Sequence, residues 1–275
     1  MSVKAIDVSV HQKTIDWKKV KADGIQAAII RAGYGRYEKQ KDKTFDANMK
    51  GATEAGILVG VYWYSYASSV NEAKEEAKVC LKVIAPYKDK IALPVFFDQE
   101  YEPVILGATK SVRTACCNAF LEEIRAAGYD TGLYASYDWI QNKIGVVEGK
   151  KWIAQYDTKC DYTGKDLYLW QYTNKGRVDG ISGKVDMDTG YFELTGALKN
   201  GWKKSGNTWY YYENGKCVKG AWRKVKNRWY YFASDGKMVK GRATIKGKHY
   251  YFNESAYEGL PEGALWMTDA EGALT

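Results

Sequence analysis

The chain has 275 residues, 45% hydrophobic and 27% charged, a globular composition that excludes a disordered or fibrous protein. No apolar run reaches the about 18 residues of a membrane-spanning helix, and the opening MSVKAIDVS lacks the apolar stretch of a secretory signal. A net charge of +8 with 23 Tyr and 10 Trp calls for an anionic or ring-stacking partner, nucleic acid being the first to weigh.

Eight short runs rich in β-branched and aromatic residues occupy 3–8, 25–33, 57–66, 91–98, 131–136, 152–156, 167–172 and 184–188. Helical patterns separate several of them, at 44–55, 70–85 and 109–127. The last opens at Thr109, repeats Val112, Cys116, Phe120 and Ile124 along one face, and stops at Gly128. Strands alternating with helices predict an α/β fold, a TIM-like (β/α)8 barrel of parallel strands. It is irregular, because some connections are too short for a full helix.

Chemistry in such barrels lies at the carboxyl ends of the strands. Asp7 ends the first run, Asp98 and Glu100 end the fourth, and Asp186 lies in the eighth. Closure makes the first and eighth strands neighbours, so Asp7 and Asp186 should converge. In extended chain Asp98 and Glu100 face the same side, roughly 6.6 Å apart. Crowded carboxylates raise the pKa of at least one of them and make it a proton donor near neutral pH. That is the equipment of glycoside hydrolysis, in which one carboxylic acid protonates the leaving oxygen and a carboxylate stabilises or attacks the sugar carbon. Acids also favour loop starts and helix caps, but four converging on one mouth exceed what caps require. Tyr34, Tyr64, Tyr66, Tyr134, Tyr156 and Trp170, in or just after the strands, are candidate stacking platforms for sugar rings.

After a linker at 195–200 the sequence repeats. Trp202 and Trp222 are 20 residues apart, as are Trp209 and Trp229, and Tyr211, Tyr231 and Tyr251 keep the same step. Each copy carries an aromatic strand (WYYY, WYYF, HYYF), and the first two end at a polar turn, Glu-Asn-Gly or Ser-Asp-Gly, a hairpin signature. One such hairpin cannot bury its own face, so stacked copies predict a small β-hairpin solenoid over 201–275. The third copy is degenerate, with Arg242 and His249 at the Trp positions. The domain division expected is therefore 1–194, linker 195–200, and 201–275.

The motifs AIDVSVHQ…IDW, IIRAGYG, GVYWYS, LPVFFDQE, GLYAS, WIAQY, LWQYT and GKVDMDTGYF, in this order over about residues 3–192, resemble the family 25 glycoside hydrolases, the Chalaropsis-type lysozymes of bacteria and phages. The resemblance implies a retaining muramidase that cleaves the β-1,4 bond between N-acetylmuramic acid and N-acetylglucosamine in peptidoglycan. By motif, Glu100 of DQE would be the general acid/base. Asp98 would be the nucleophile or would orient the substrate's N-acetyl group for internal attack, and Asp7 and Asp186 would position substrate. Asp188, usually Asn in the family, is the alternative to Asp186; Gln99, between the two acids, is commonly apolar there and is not expected to matter.

The tail resembles the choline-binding type of cell-wall-binding repeat, in which aromatic residues of successive hairpins box a quaternary ammonium. By position Trp202, Trp209, Tyr211, Trp222, Trp229 and Tyr231 would line such sites, with choline on teichoic acid or another wall glycan as ligand. With both tryptophans missing from the third copy, at most one or two boxes can be complete. No cofactor and no metal are expected: the five cysteines are odd in number, lack CxxC spacing, and are joined by only His11 and His249.

The tail holds 13 basic and 7 acidic residues and is about one-fifth aromatic, which leaves residues 1–200 at only +2. Charge and aromatics thus belong chiefly to a wall-targeting module, and nucleic acid drops to last among the partners; membrane insertion is not expected. Cytoplasmic synthesis followed by holin-type or lytic release, as in a phage or prophage endolysin, is the expectation. A wall-binding or adhesin protein with an inert lysozyme-like barrel is the alternative.

Overall fold

The computed structural model describes residues 2–100, 102, 105, 107–194, 200–213, 216–257 and 259–266. The chain divides into two compact units, Met1–Ala197 and Leu198–Thr275. Residues 195–199 of the expected linker lie outside the described residues.

In the first unit eight strands form a closed barrel in chain order. They are β1 (Val3–Val8), β2 (Ala27–Tyr34), β3 (Leu58–Tyr64), β4 (Ile91–Asp98), β5 (Thr131–Ser136), β6 (Lys150–Ala154), β7 (Leu167–Gly176) and β8 (Val185–Gly190). Among the described residues four α-helices pack around them: α1 (Trp17–Ala22), α2 (Phe45–Glu54), α3 (Val70–Ile84) and α4 (Lys110–Ala126). The helix at Thr109 starts as its sequence requires, the threonine side chain accepting the Val112 N–H at 3.3 Å. Gly128, at φ 84°, takes the left-handed conformation that ends it.

The expectation of an all-parallel barrel is corrected at β8, which runs antiparallel to both β7 and β1. The reason is chain length. Residues 177–184 are too few for the crossover that a parallel connection needs, but enough for a reversal. The reversal brings the start of β8, rather than its end, to the carboxyl mouth of the other strands.

Strand alternation sorts the side chains into two layers. Ile6, Val8, Ile30, Val61, Phe97 and their neighbours pack outward against the helices. Ala5, Ile29, Leu58, Phe96, Trp152 and Leu169 fill the interior. The barrel interior is therefore packed beneath its mouth. Cys80, Cys116 and Cys117 are buried and unpaired, and burial pushes their thiols up.

The second unit is a run of hairpins: β9 (Asn200–Ser205) with β10 (Thr208–Glu213), β12 (Ala221–Val225) with β13 (Arg228–Phe232), and β14 (Gly241–Ile245) with β15 (Lys248–Phe252). A short β11 (Lys216–Cys217) adds to β10. The tight turns precede the aromatic strands instead of following them. They lie at Gly206-Asn207, Lys226-Asn227 and Lys246-Gly247, where positive φ values at Gly206 (57°), Lys226 (46°), Asn227 (62°), Lys246 (51°) and Gly247 (80°) suit a two-residue hairpin loop. The Ser-Asp-Gly turn instead leads β13 to the Met238 bridge, and residues 214 and 215 of the Glu-Asn-Gly turn lie outside the described residues.

Candidate active site and wall-binding repeats

Sheet register assembles the barrel mouth. Asp7 pairs with Asp186 across β1 and β8, while Tyr64, Asp98 and Tyr134 stand level on β3, β4 and β5. Asp98 is buried as the last residue of β4, and Glu100, two residues on, is half-buried on the same rim. All four acids line one cavity of about 260 Å3. Asp188, two residues deeper on β8, does not line it; it accepts the Trp152 indole N–H at 2.7 Å.

Every acid in this ring is held above its ordinary carboxylate range, with burial as the first cause. For Asp7 the Asp188 and Asp186 charges add to burial, opposed by Gln171, whose amide donates to Asp7 Oδ2 at 2.7 Å. For Asp98 the Glu100 charge adds and the Arg31 guanidinium opposes. Glu100 is raised by burial and by the Asp186 and Glu102 charges, against the influence of the neighbouring Tyr134 hydroxyl. Asp186 is raised by burial and relieved by His11. Burial pushes Asp188 up to about 8. Crowding and burial thus both favour the protonated form across the ring, the condition under which one carboxyl can serve as an acid beside a carboxylate.

The cavity extends in two directions. On one side it shares Glu100, Tyr134 and Tyr156 with a space of about 310 Å3 that Ser136 and Trp139 complete. On the other it shares His11, Arg31 and Tyr64 with a larger space that Tyr34 and Tyr66 help to line. The result is an elongated cleft with the acids at its middle, a shape suited to a polymer. Five of the six aromatic platforms expected from sequence line it. Tyr66 meets Tyr34 and Tyr64 edge-on, with ring centroids at 6.0 and 5.5 Å.

Trp170 is the exception. It falls between inward-facing Leu169 and Gln171, so its ring lies on the opposite face of β7, and its N–H donates to the Gln155 carbonyl at 2.7 Å. The sequence reading missed Arg31, Gln171 and Trp139. Arg31 had a signal, being the lone charge in an apolar strand. Gln171 joins Asp7 to the Tyr134 and Tyr156 hydroxyls, which donate to its carbonyl at 2.9 and 3.0 Å. Gln99 points away from the mouth toward α4, where its carbonyl accepts the Cys117 thiol at 3.1 Å.

In the repeats Trp202 meets Tyr211 of its own hairpin at 5.1 Å, and Tyr230 and Phe232 of the next at 4.6 and 5.7 Å. One copy later Trp222 meets Tyr231 at 5.2 Å and Tyr250 and Phe252 at 4.9 and 5.5 Å. Trp209 and Trp229 stand edge-on to these tryptophans at 6.2 and 6.4 Å. Two equivalent clusters thus form, and each needs the following hairpin. Tyr230, Phe232, Tyr250 and Phe252 had not been singled out, because which strand face meets the next copy depends on the stacking. Arg242 takes the Trp position in the third copy, opposite Tyr251.

A closed barrel with a ring of buried, crowded carboxylates in an aromatic cleft is the architecture of a glycoside hydrolase. The chain belongs to glycosyl hydrolases family 25, whose family model matches residues 6–181. A choline-binding repeat matches 218–256 and a putative cell wall binding repeat 200–215. Lysozyme M1 of Streptomyces globisporus is 28% identical over 196 residues, covering 67% of this chain and 66% of the relative. The autolytic lysozyme of Clostridium acetobutylicum is 26% identical over 190 residues, covering 68% and 55%. The structure of the modular autolysin LytC from Streptococcus pneumoniae is similar at 28% identity and TM-score 0.61, covering 69% of this chain and 47% of that one. The chain thus spans less than two thirds of the length of these relatives.

Proposed function

We propose that the chain is a peptidoglycan hydrolase, a retaining muramidase that cuts the β-1,4 bond between N-acetylmuramic acid and N-acetylglucosamine. One observation carries the reading: Asp98 and Glu100 lie together at the middle of the aromatic cleft, both held above their ordinary pKa by burial. Glu100, on the more open rim, gives its proton to the glycosidic oxygen as the bond to the sugar carbon breaks. Asp98 attacks that carbon, or holds the substrate's N-acetyl N–H so that the acetyl oxygen attacks instead. Its Oδ1 is buried with no hydrogen-bond partner among the described residues, which suits either role. Glu100 then takes a proton from water, which displaces the intermediate with net retention. Asp7 and Asp186 position substrate and keep the pair protonated once.

The repeats bring the enzyme to the wall. Trp202, Trp209 and Tyr211 form one ligand site and Trp222, Trp229 and Tyr231 the other, for choline on teichoic acid or another wall glycan. An aromatic wall already holds a cation there, the Lys204 ammonium 5.4 Å from the Trp209 ring. Action at the wall after lytic release, as by a phage endolysin, completes the reading.

The decisive experiment replaces Glu100 by Gln and follows the turbidity of purified Gram-positive walls and the new reducing ends. Loss of activity by a factor of about 100 or more supports the role. Unchanged lysis overturns it, and a wild-type protein that binds walls but releases no reducing ends is an adhesin with an inert barrel.

A further inference from the structure

Beyond the acids the cleft opens into a space of about 570 Å3, larger than either of the other two and lined by Arg31, Lys39, Lys41 and Lys43. It shares His11, Arg31 and Tyr64 with the acid-lined cavity, so whatever occupies it can belong to the same substrate.

Two of its cations are neutralised from within the fold. Arg31 Nε donates to Asp42 at 2.7 Å, and the buried Asp42 is fixed by the Val10 and Thr44 N–H groups at 3.0 and 2.8 Å. Lys41 pairs with Asp46 at 2.6 Å. Lys39 and Lys43 are exposed and have no ion-pair partner among the described residues; Lys39 has only the Tyr37 ring, 5.8 Å away. The other carboxylate of the wall, Glu102, accepts the Tyr64 hydroxyl at 2.6 Å. The Tyr64 bond leaves the Glu102 charge in place, so beyond its internal ion pairs the space presents two ammonium groups and one carboxylate, a net positive charge, beside the Tyr34 and Tyr66 rings.

A neutral amino-sugar polymer gains nothing from those lysines. We propose that this space takes the acidic peptide stem carried by the muramic acid residue bound at the cleft, with Lys39 and Lys43 pairing stem carboxylates and the tyrosines covering its amide and methyl surface. The inference rests on the peptidoglycan reading above. A wall phosphate would offer the same charge, but none of the surface that Tyr34 and Tyr66 are placed to cover.

The test uses teichoic-acid-free glycan strands in two forms, with stems intact and with stems removed by an amidase that leaves the lactyl carboxylate. The wild type should show a higher kcat/KM on stem-bearing strands. Lys39→Ala/Lys43→Ala should cut that preference about tenfold, as expected for charge-assisted hydrogen bonds at an open site, while Lys39→Arg/Lys43→Arg retains most of it. An equal preference in wild type and double alanine variant overturns the proposal. So does a lysine dependence that survives stem removal, which assigns the lactyl carboxylate, or one that appears only on teichoic-acid-bearing walls, which assigns the phosphate. Cleavage of neither strand by the wild type overturns the muramidase reading and this inference with it; cleavage of both without preference overturns the inference alone.

Discussion

Asp7 on β1 and Asp186 on β8 sit directly opposite each other in the antiparallel pairing that closes the barrel. Both face inward, and both line the cavity that holds Asp98 and Glu100. The Asp186 charge raises Asp7, and it is also the foremost charge holding Glu100 up after burial.

The pH profile should therefore respond to Asp186→Asn. With Glu100 as general acid, activity is lost as pH rises through its raised pKa. Removing a neighbouring negative charge makes ionisation of Glu100 easier and lowers that pKa. The alkaline limb of kcat/KM should move to lower pH, in addition to any loss of rate. An alkaline limb that stays in place in Asp186→Asn means that Glu100 does not set it.

A second titrating group lies outside the chemistry. Glu76 on α3 is 1% exposed; its Oε1 accepts the Tyr66 N–H at 2.9 Å, and Oε2 has no hydrogen-bond partner among the described residues. Burial pushes it up to about 7 from 4.5. A raised folded-state pKa stabilises the fold fully below the unfolded value and loses that contribution as pH climbs through the folded one. Glu76→Gln, which keeps the accepting oxygen, should gain unfolding free energy relative to wild type by about 3 kcal/mol between pH 4.5 and pH 8. Urea titrations at several pH values would measure this, and parallel pH dependences in the two proteins would refute it.

The strands and helices were legible because their periods are local: each apolar run is one strand long, and Thr109 and Gly128 bracket a helix. Convergence of Asp7 and Asp186 followed from closure alone. The direction of β8 did not, since it depends on the eight residues of 177–184 being too short to cross over. Trp170 was misplaced because a two-residue period had to be anchored at Leu169 and Gln171, whose neighbours lie on other strands. Arg31 is marked only as the lone charge of β2, and Gln171 shares β7 with Thr173, Asn174 and Lys175, so nothing local sets it apart. Tyr230 and Tyr250 join the aromatic clusters only through stacking of one hairpin on the next.

Gly132 faces the barrel interior on β5. A Cβ there would fall 3.0 Å from the Lys150 carbonyl oxygen and nearer still to the Phe96 ring. Phe96 is fully buried and packed edge-on against Trp152 at 5.3 Å, so it cannot retreat without disturbing the plug under the mouth. Gly132→Ala should cost about 1–3 kcal/mol by overpacking and lower the thermal midpoint of the barrel. An unchanged midpoint would show that the interior relaxes more freely than its packing indicates.

The repeats separate packing from ligand contact. Trp222 is wedged between Tyr231 and the next hairpin's Tyr250 and Phe252, whereas Trp229 is 45% exposed at the edge of the same cluster. Trp222→Ala should therefore leave a cavity and lower the stability of the tail as well as its binding, because Phe252 beneath it is fully buried. Trp229→Ala removes a ring that faces outward and should leave stability within about 0.5 kcal/mol. If Trp229 forms a wall of a cation site, its loss costs about 0.5–2 kcal/mol, a two- to thirtyfold drop in affinity for an immobilised quaternary amine. Circular dichroism melting and retention on a quaternary-amine resin would measure the two effects independently. A Trp229→Ala protein retained as firmly as wild type would remove Trp229 from the ligand site and leave the cluster as the spine of the solenoid.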